Sequence, residues 1–424
     1  MINYGEFLQN PPQDAKGKTR WWWYGCCVTK EEISRQLTLM RDAGLGGVEL
    51  QILYPLVPND SAKGIKNIDY FSPEFFEILD FTSKKTCELG MTLDFTLASS
   101  WPFGGPFVPH SMAPQNVCLY QIDVPGPRKF SYDFTNRFAG KIILATLGKM
   151  ENSQMIESSI LDVTEKMKRK YLFSWPWGYS LEDLDIPEGD WKMVVMVSSK
   201  YRQSVPAPAP NAEGYAIDHC RRDVSDFYFK NGALPIVEKI GKGKISNFFC
   251  DSIELEGNNW TEILLDEFKK RRGYSLEKYC YALWGEIESL TPYIRHDYFQ
   301  TMSELTIENF FENFTAWCQE NGSKSRIQVH GTWGDILKAY GSADIPEGET
   351  FGSHDKLYVN TIHRRLASSA GSIYNKKIVS NESFTWLRMP RFLVTLEMMK
   401  AAVDAIFLDG INRIYNHGWS YSPE

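Results

Sequence analysis

Three glutamates and three histidines stand where apolar runs give way to polar, glycine-bearing segments. Glu254 closes Asp251-Ser252-Ile253-Glu254, Glu349 closes Glu347-Gly348-Glu349, and Glu382 sits in Asn381-Glu382-Ser383. His330 precedes Gly331, His417 precedes Gly418, and His110 follows a loop that starts at Ser99-Ser100-Trp101-Pro102. Paired carboxylates at one pocket are what cleavage of a glycosidic bond needs. One is kept protonated to donate to the leaving oxygen, and one stays ionised to activate water or to attack the sugar. A single strand-end glutamate is usually a salt-bridge partner, but three on alternate elements are rarely a coincidence. A metal site is the competing use, since Asp251, Glu254 and Glu349 offer hard oxygen ligands for calcium or magnesium, although not at the spacing of an EF-hand loop. The histidines match no zinc motif, which leaves them as supports or as contacts to sugar hydroxyls. Asp218-His219 either closes the pocket from the side of the preceding segment or is structural. Gly104-Gly105-Pro106 is either a loop whose backbone can approach a ligand or a surface turn. No GxSxG elbow and no glycine-rich nucleotide fingerprint follows a strand, which disfavours serine hydrolases and nucleotide enzymes.

The elements that must carry these residues alternate. Trp21–Val28 reads as a buried strand, and Thr29 caps a helix with Glu32 in capping-box register, Ile33, Leu37 and Met40 forming its apolar face. Gly47–Leu53 and Met91–Leu97 are strands two and three, separated by a helix that starts at Ser72-Pro73. The rhythm breaks from about 116 to 201. There Val117–Val124, Lys141–Leu147, Lys170–Trp175 and Trp191–Ser198 read as antiparallel strands, separated by turn-formers such as Pro125-Gly126-Pro127 and Pro187-Glu188-Gly189. Pro206–Pro210 is a stiff connector. Strands then recur at Ile245–Asp251, Ser325–Val329, Ala343–Ile345, Lys377–Ser380 and Asn412–Asn416, with helices between them near 222–240, 261–272, 276–284, 298–320, 361–374 and 393–407. Eight strands joined by right-handed crossovers predict an α/β fold, a (β/α)8 TIM barrel with an inserted antiparallel β-domain after strand three. The expected division is 1–115 and 202–424 for the barrel and 116–201 for the insertion. A doubly wound sheet is the alternative. No eighth helix follows strand eight, so the seam between strands eight and one is expected to lie uncovered, in a chain truncated before a further domain.

The 46 Lys and Arg against 53 Asp and Glu leave a formal charge of −7, without the basic excess a nucleic-acid binder needs. No apolar run is long enough for a membrane span, and the first residues lack a secretory signal, which predicts a cytoplasmic protein unless the N-terminus is processed. Eight scattered cysteines with no CxxC argue against a disulfide framework or structural zinc. Aromatic residues make up 14% of the chain, a bias toward stacking on sugar rings as well as core packing.

Several segments together resemble glycoside hydrolase family 106, the α-L-rhamnosidases: Trp21-Trp22-Trp23 with Val28–Glu31, Ala43–Glu49, Gly104–Val108, Asp251–Glu254, Trp260-Thr261, Arg271–Tyr274, Asp344–Glu349, Glu382–Thr385, and Gly410–Arg413 with His417-Gly418. The resemblance implies a catalytic (β/α)8 barrel, an inverting mechanism, and calcium assisting sugar binding with ligands unassigned. The family's essential glutamates fall on Glu254, Glu349 and Glu382. Glu254 is expected to be the general acid, and Glu382, alone or with Glu349, to deprotonate water. Glu349 could equally bind the metal. Trp101 is expected to stack on the ring, and His110, Asp218, His219, His330 and His417 to contact the sugar, with an apolar wall receiving the 6-methyl group. Inversion predicts acid and base about 6.5–9.5 Å apart. Members of the family usually continue into β-sandwich domains, and such a domain would pack on this barrel. Many are exported. A non-catalytic carbohydrate-binding relative, and a barrel glycosidase for another glycone, stay open as alternatives.

Overall fold

The computed structural model describes residue 5 and residues 9–135, 137, 140–172, 175–255, 257–331, 333–351, 361–387 and 393–421. These divide into two compact units, 1–113 with 204–255 and 306–424, and 114–203 with 256–305.

The first unit is a closed parallel barrel. Its strands are β1 (Lys18–Tyr24), β2 (Gly47–Leu53), β3 (Thr92–Ser99), β7 (Asn247–Cys250), β8 (Lys324–Ile327), β9 (Ile345–Phe351), β10 (Ser380–Thr385) and β11 (Arg413–Ser420), each paired with the next in that order and β11 with β1. Helices α1 (Lys30–Asp42) and α2 (Pro73–Glu88) make the first two crossovers, and a helical stretch over 222–240 with a π turn at Phe229–Ala233 (α3) precedes β7. Glu312–Glu320 (α6), Ile336–Ser342 (α7), Ile362–Ile373 (α8) and Leu396–Leu408 (α9) complete the ring. The predicted barrel and the insertion after strand three are both present.

Period-two alternation sorts each strand between two faces. Val48, Leu50 and Ile52, then Leu93, Phe95 and Leu97, and also Trp21 and Trp23 turn outward into a core shared with Ile33, Leu37, Met40, Phe75 and Leu79 of the helices. The inward residues are polar. Arg326 is fully buried, pairs with Glu49, with Glu347 (3.1 Å) and with Asp94 (3.8 Å), and lies 3.4 Å above the Tyr415 ring. Asp94 also accepts from Tyr415 Oη (2.6 Å) and Asn247 Nδ2 (2.7 Å) and pairs with Lys18 (3.3 Å). This explains why β1 starts at Lys18 and not at Trp21: Lys18 and Arg20 read as a polar leader but point into the barrel. Strands β9 and β10 likewise run further than expected, taking in Glu347, Glu349 and Glu382, because those side chains have partners inside.

One local expectation changes. Thr29 Oγ1 does accept from Glu32 N (3.2 Å), but the Glu32 carboxylate turns to Arg35 and Gln36, and the Thr29 amide donates to Tyr421 Oη (2.9 Å), so the capping box is only half made. The seam between β11 and β1 is bridged by Gln36 of α1, whose Oε1 accepts from Trp21 Nε1 (2.9 Å) and Trp419 Nε1 (3.1 Å).

The second unit is built on long antiparallel strands, β4 (Val117–Asp133), β5 (Gly140–Glu151) and β6 (Trp175–Ser199), with β6 between the other two. Pro125-Gly126-Pro127 and Pro187-Glu188-Gly189 do not turn the chain. Gly189 stands opposite Gly126 and Asp190 opposite Pro125, so the two breakers fall together in one register shift and the strands continue past it. The expected strand Lys170–Trp175 is instead Lys168–Leu172 and the start of β6, and residues 173 and 174 lie outside the described residues. Val124, Phe130, Leu147, Leu181, Met193 and Val195 form its core, and helices α4 (Leu264–Arg272) and α5 (Thr291–Thr306) belong to the same unit. No described helix is long and apolar enough to cross a membrane.

Candidate active site

The inward residues of the barrel continue upward to a cavity of about 500 Å³ at the C-terminal ends of the strands, a volume in the range of small-molecule sites. Arg20 of β1 is its hub. Its Nε donates to Glu49 (2.7 Å), Nη1 pairs with Asp251 (3.2 Å) and Nη2 with Glu382 (3.1 Å), while the guanidinium stacks 5.1 Å from both Trp22 and Phe249.

Glu382 lies deep in this cavity. Its Oε2 also accepts from Gln328 Nε2 (2.8 Å), Oε1 accepts from Thr385 Oγ1 (2.8 Å), and His417 Nε2 lies 3.6 Å away. Burial opposes ionisation, but Arg20, His417 and these donors outweigh it and hold the carboxyl at about 2. Glu349 stands opposite Glu382 in the β9–β10 register. Burial, and then repulsion from Glu382, push it up to about 8, and its Oε2 is 3.0 Å from His330 Nε2. Burial likewise raises Asp251 to about 7 against the pull of Arg20. Two neighbouring carboxyls are thus driven to opposite protonation states. Glu254 sits at the exposed mouth, where its carboxyl oxygens accept from Trp101 Nε1 (3.1 Å) and Ser252 Oγ (3.0 Å).

The three expected glutamates, Trp101 and His417 line this one cavity. His330 lies just behind Glu349, its ring stacked on His363 (4.5 Å) and its pKa lowered by burial. His110, Asp218 and His219 do not line it. His110 is exposed on the turn His110–Met112 with its ring edge against Tyr215. Asp218 accepts from Cys220 N (3.0 Å), and His219 packs on Phe310 (4.4 Å), where burial pulls its pKa to about 3. The reason is local: Tyr215-Ala216 pairs with Gly105-Gly104, and Ile217 and Asp218 donate to Phe103 and Met112, which fastens this segment to the loop after β3. The same pairing explains Gly104, where a Cβ would meet the Tyr215 carbonyl; the glycine admits a strand, not a ligand.

Arg20, Trp22, Gln328 and His363 were not expected in the site. Arg20 and Trp22 were legible only through alternation within β1, once its start is moved to Lys18. Among the described residues no three His, Cys, Asp or Glu side chains form a group that could hold a metal ion. The carboxylates expected to serve calcium are engaged otherwise, Asp251 with Arg20 and Glu349 with His330. As arranged, Asp251 and Glu349 would have to give up these partners to hold the ion.

With this geometry in view, comparison with known proteins becomes specific. The sequence model of glycoside hydrolase family 106, described as alpha-L-rhamnosidase, matches residues 9–143 and 136–424. A protein named "Putative beta-glucuronidase" from Formosa agariphila is 24% identical over 459 residues, which cover 98% of this chain and 38% of that protein. The solved structure of a rhamnosidase from Novosphingobium sp. PP1Y superposes with a TM-score of 0.77 at 15% identity, over 100% of this chain and 57% of that one. The chain therefore spans from about two fifths to under three fifths of the length of these relatives.

Proposed function

We propose that this chain, which belongs to glycoside hydrolase family 106, removes a terminal α-L-rhamnosyl residue from a plant-type polysaccharide or glycoside with inversion at C1. The observation that carries the reading is the pairing in one cavity of a carboxylate kept ionised at depth, Glu382, with a carboxyl at the mouth, Glu254. A leaving group points toward solvent, so the acid that protonates it must stand at the mouth. Glu254 gives its proton to the glycosidic oxygen as the C1–O bond breaks. Glu382 takes a proton from the water that attacks C1 on the opposite face, and the first product is the β-anomer. Glu349 is less suited to partner Glu382 across a substrate, because paired strands lie only about 4.8 Å apart. Its neutral carboxyl instead donates to a sugar hydroxyl.

Charge supports the reading of the glycone. The described lining of the cavity holds four acidic side chains and one guanidinium, and that guanidinium is already paired with Glu49, Asp251 and Glu382. No Lys or other Arg among the described lining residues is left to meet a uronate carboxylate, as a β-glucuronidase would require. Leu53, Tyr54, Ala207 and Leu387 supply apolar surface suited to a 6-methyl group.

A panel of aryl glycosides, with and without chelator, tests glycone, turnover and calcium together. Hydrolysis of the α-L-rhamnoside alone supports the proposal, and preference for the β-glucuronide overturns it. Activity lost with chelator and restored by calcium would mean that Asp251 or Glu349 gives up its present partner for the ion. Glu254→Gln tests the acid: the fall is expected to be about 10²–10⁴-fold for an alkyl rhamnoside and slight for a dinitrophenyl rhamnoside, whose leaving group needs no proton. Equal losses on both substrates refute the assignment.

Glu349 gives a pH signature. Its carboxyl is neutral below about 8, so kcat/KM falls as pH rises through that value. Glu349→Gln keeps a neutral donor and is expected to retain most activity while losing the alkaline limb. A variant as inactive as one lacking Glu382 would make Glu349 an ionised participant.

A further inference from the structure

Beside the main cavity lies a smaller one of about 290 Å³, lined by Glu254, Glu349, Phe351, Ile362 and His363. The two share Glu254, Glu349 and Phe351 as a common wall, and only the larger contains Arg20, Asp251, Glu382 and His417. We propose that the smaller cavity is the subsite for the leaving group and that it takes a planar, apolar, aromatic aglycone, such as the ring of a phenolic glycoside. This rests on the glycosidase reading above, because it places the scissile bond at the shared wall.

The assignment follows from what each cavity offers. The residue that activates water must reach C1 of the glycone, so the glycone occupies the cavity that contains Glu382. The group departing past Glu254 then enters the other one. Among the described lining there, the residues other than histidine and glutamate are Phe351 at the end of β9 and Ile362 at the start of α8, 41% and 63% exposed. Large apolar side chains so exposed at the rim of a cavity gain from being covered by an apolar ligand. His363 adds a flat face, its ring stacked on His330 at 4.5 Å and 19°, and burial with His330 beside it lowers its pKa to about 4, so it is uncharged at neutral pH. A further sugar unit would call for several hydrogen-bonding side chains around its hydroxyls. Apart from the two shared glutamates, the described lining has one, His363.

The test compares 1-naphthyl α-L-rhamnoside, methyl α-L-rhamnoside and a rhamnosyl disaccharide on the parent and on Ile362→Ser and Phe351→Ala. The ratio of kcat/KM for the naphthyl over the methyl glycoside is expected to fall about tenfold in each variant, in keeping with loss of apolar contact in a pocket. A ratio that stays constant, or a fall confined to the disaccharide, overturns the proposal. Saturation-transfer NMR with 1-naphthyl α-L-rhamnoside on Glu382→Gln reads the same contact without turnover. Naphthyl protons should receive saturation from this variant and less once Ile362→Ser is added, and their lack of saturation where the rhamnosyl protons receive it refutes the assignment. If the parent hydrolyses a different aryl glycoside, the glycone reading fails by itself, and the same aryl-to-methyl comparison on that glycone decides the subsite.

Discussion

Glu382→Gln lowers kcat/KM on an aryl α-L-rhamnoside by about 10²–10⁴-fold, the range that general base catalysis supplies, and leaves the fold in place. The amide keeps the shape of the carboxyl: its oxygen can still accept from Arg20 and Gln328, and its nitrogen can donate to the Thr385 hydroxyl, the partners that orient the side chain now. What it cannot do is take a proton from water. The loss should therefore appear in kcat and not in KM, and unlike that of Glu254→Gln it should persist with a dinitrophenyl leaving group. Circular dichroism and the thermal midpoint of the variant check that the barrel is intact. Retained hydrolysis in a folded Glu382→Gln protein would end the mechanism proposed here. Rhamnose binding by the parent without any turnover would move the chain to the alternative of a carbohydrate-binding relative.

The largest effect on stability is expected at Arg326. Its guanidinium is wholly buried among Glu49, Glu347 and Asp94, with Tyr415 and Phe249 stacked on its faces. Arg326→Met replaces the volume but leaves Glu347 without its cationic partner in a dry interior, with Glu49 and Asp94 left to Arg20 and Lys18 alone, a change that costs about 3–5 kcal/mol. An exposed control, Arg41→Ala, should change stability by less than about 0.5 kcal/mol. The pH dependence has a definite sign. Burial has already raised Glu347 to about 8. A carboxyl raised on folding contributes stability that is fully present below its unfolded value and is lost as pH rises through the folded one. Without Arg326 to favour the ionised form, that rise is larger, and because the parent's Glu347 is itself neutral up to about pH 8, the deficit should stay level below that pH and grow above it in denaturation experiments. A variant as stable as the parent at pH 8 would show that the interior carboxyls do not depend on Arg326.

The same network bears on the site above it. Arg20 and Arg326 share Glu49, so the charge that keeps Glu382 ionised is itself held by the layer below. Interior layers of this barrel are ionic where aliphatic ones are the common solution, and they form a continuous scaffold from Lys18 and Asp94 up to Glu382. Preorganising a carboxylate in this way uses fold stability to set a protonation state.

Much of this was readable from the chain alone. The strand–helix rhythm, the cap at Thr29, the helix start at Ser72-Pro73 and the strand-end glutamates are local signals, since each depends on a few neighbours in sequence. They gave the barrel, the insertion after the third strand, and the convergence of Glu254, Glu349 and Glu382 on one rim. Other features depend on groups brought together from distant positions. Lys18-Thr19-Arg20 has the composition of a loop, and only Asp94, Glu49 and Glu382, supplied by three other strands, make it part of β1. Pro125-Gly126-Pro127 reads as a turn until Pro187-Glu188-Gly189 stands opposite it in register. Asp218-His219 has the residue types of a site, but pairing of the adjacent Tyr215-Ala216 with Gly104-Gly105 sets it into the barrel wall. The protonation states of Glu349 and Glu382 belong to the same class: two glutamates of one chemical type, on adjacent strands, are driven apart by burial on one side and by Arg20 on the other. Sequence determines which groups are available and on which element each is carried. Burial and the positions of opposite charges, which exist only once the barrel closes, decide what those groups can do.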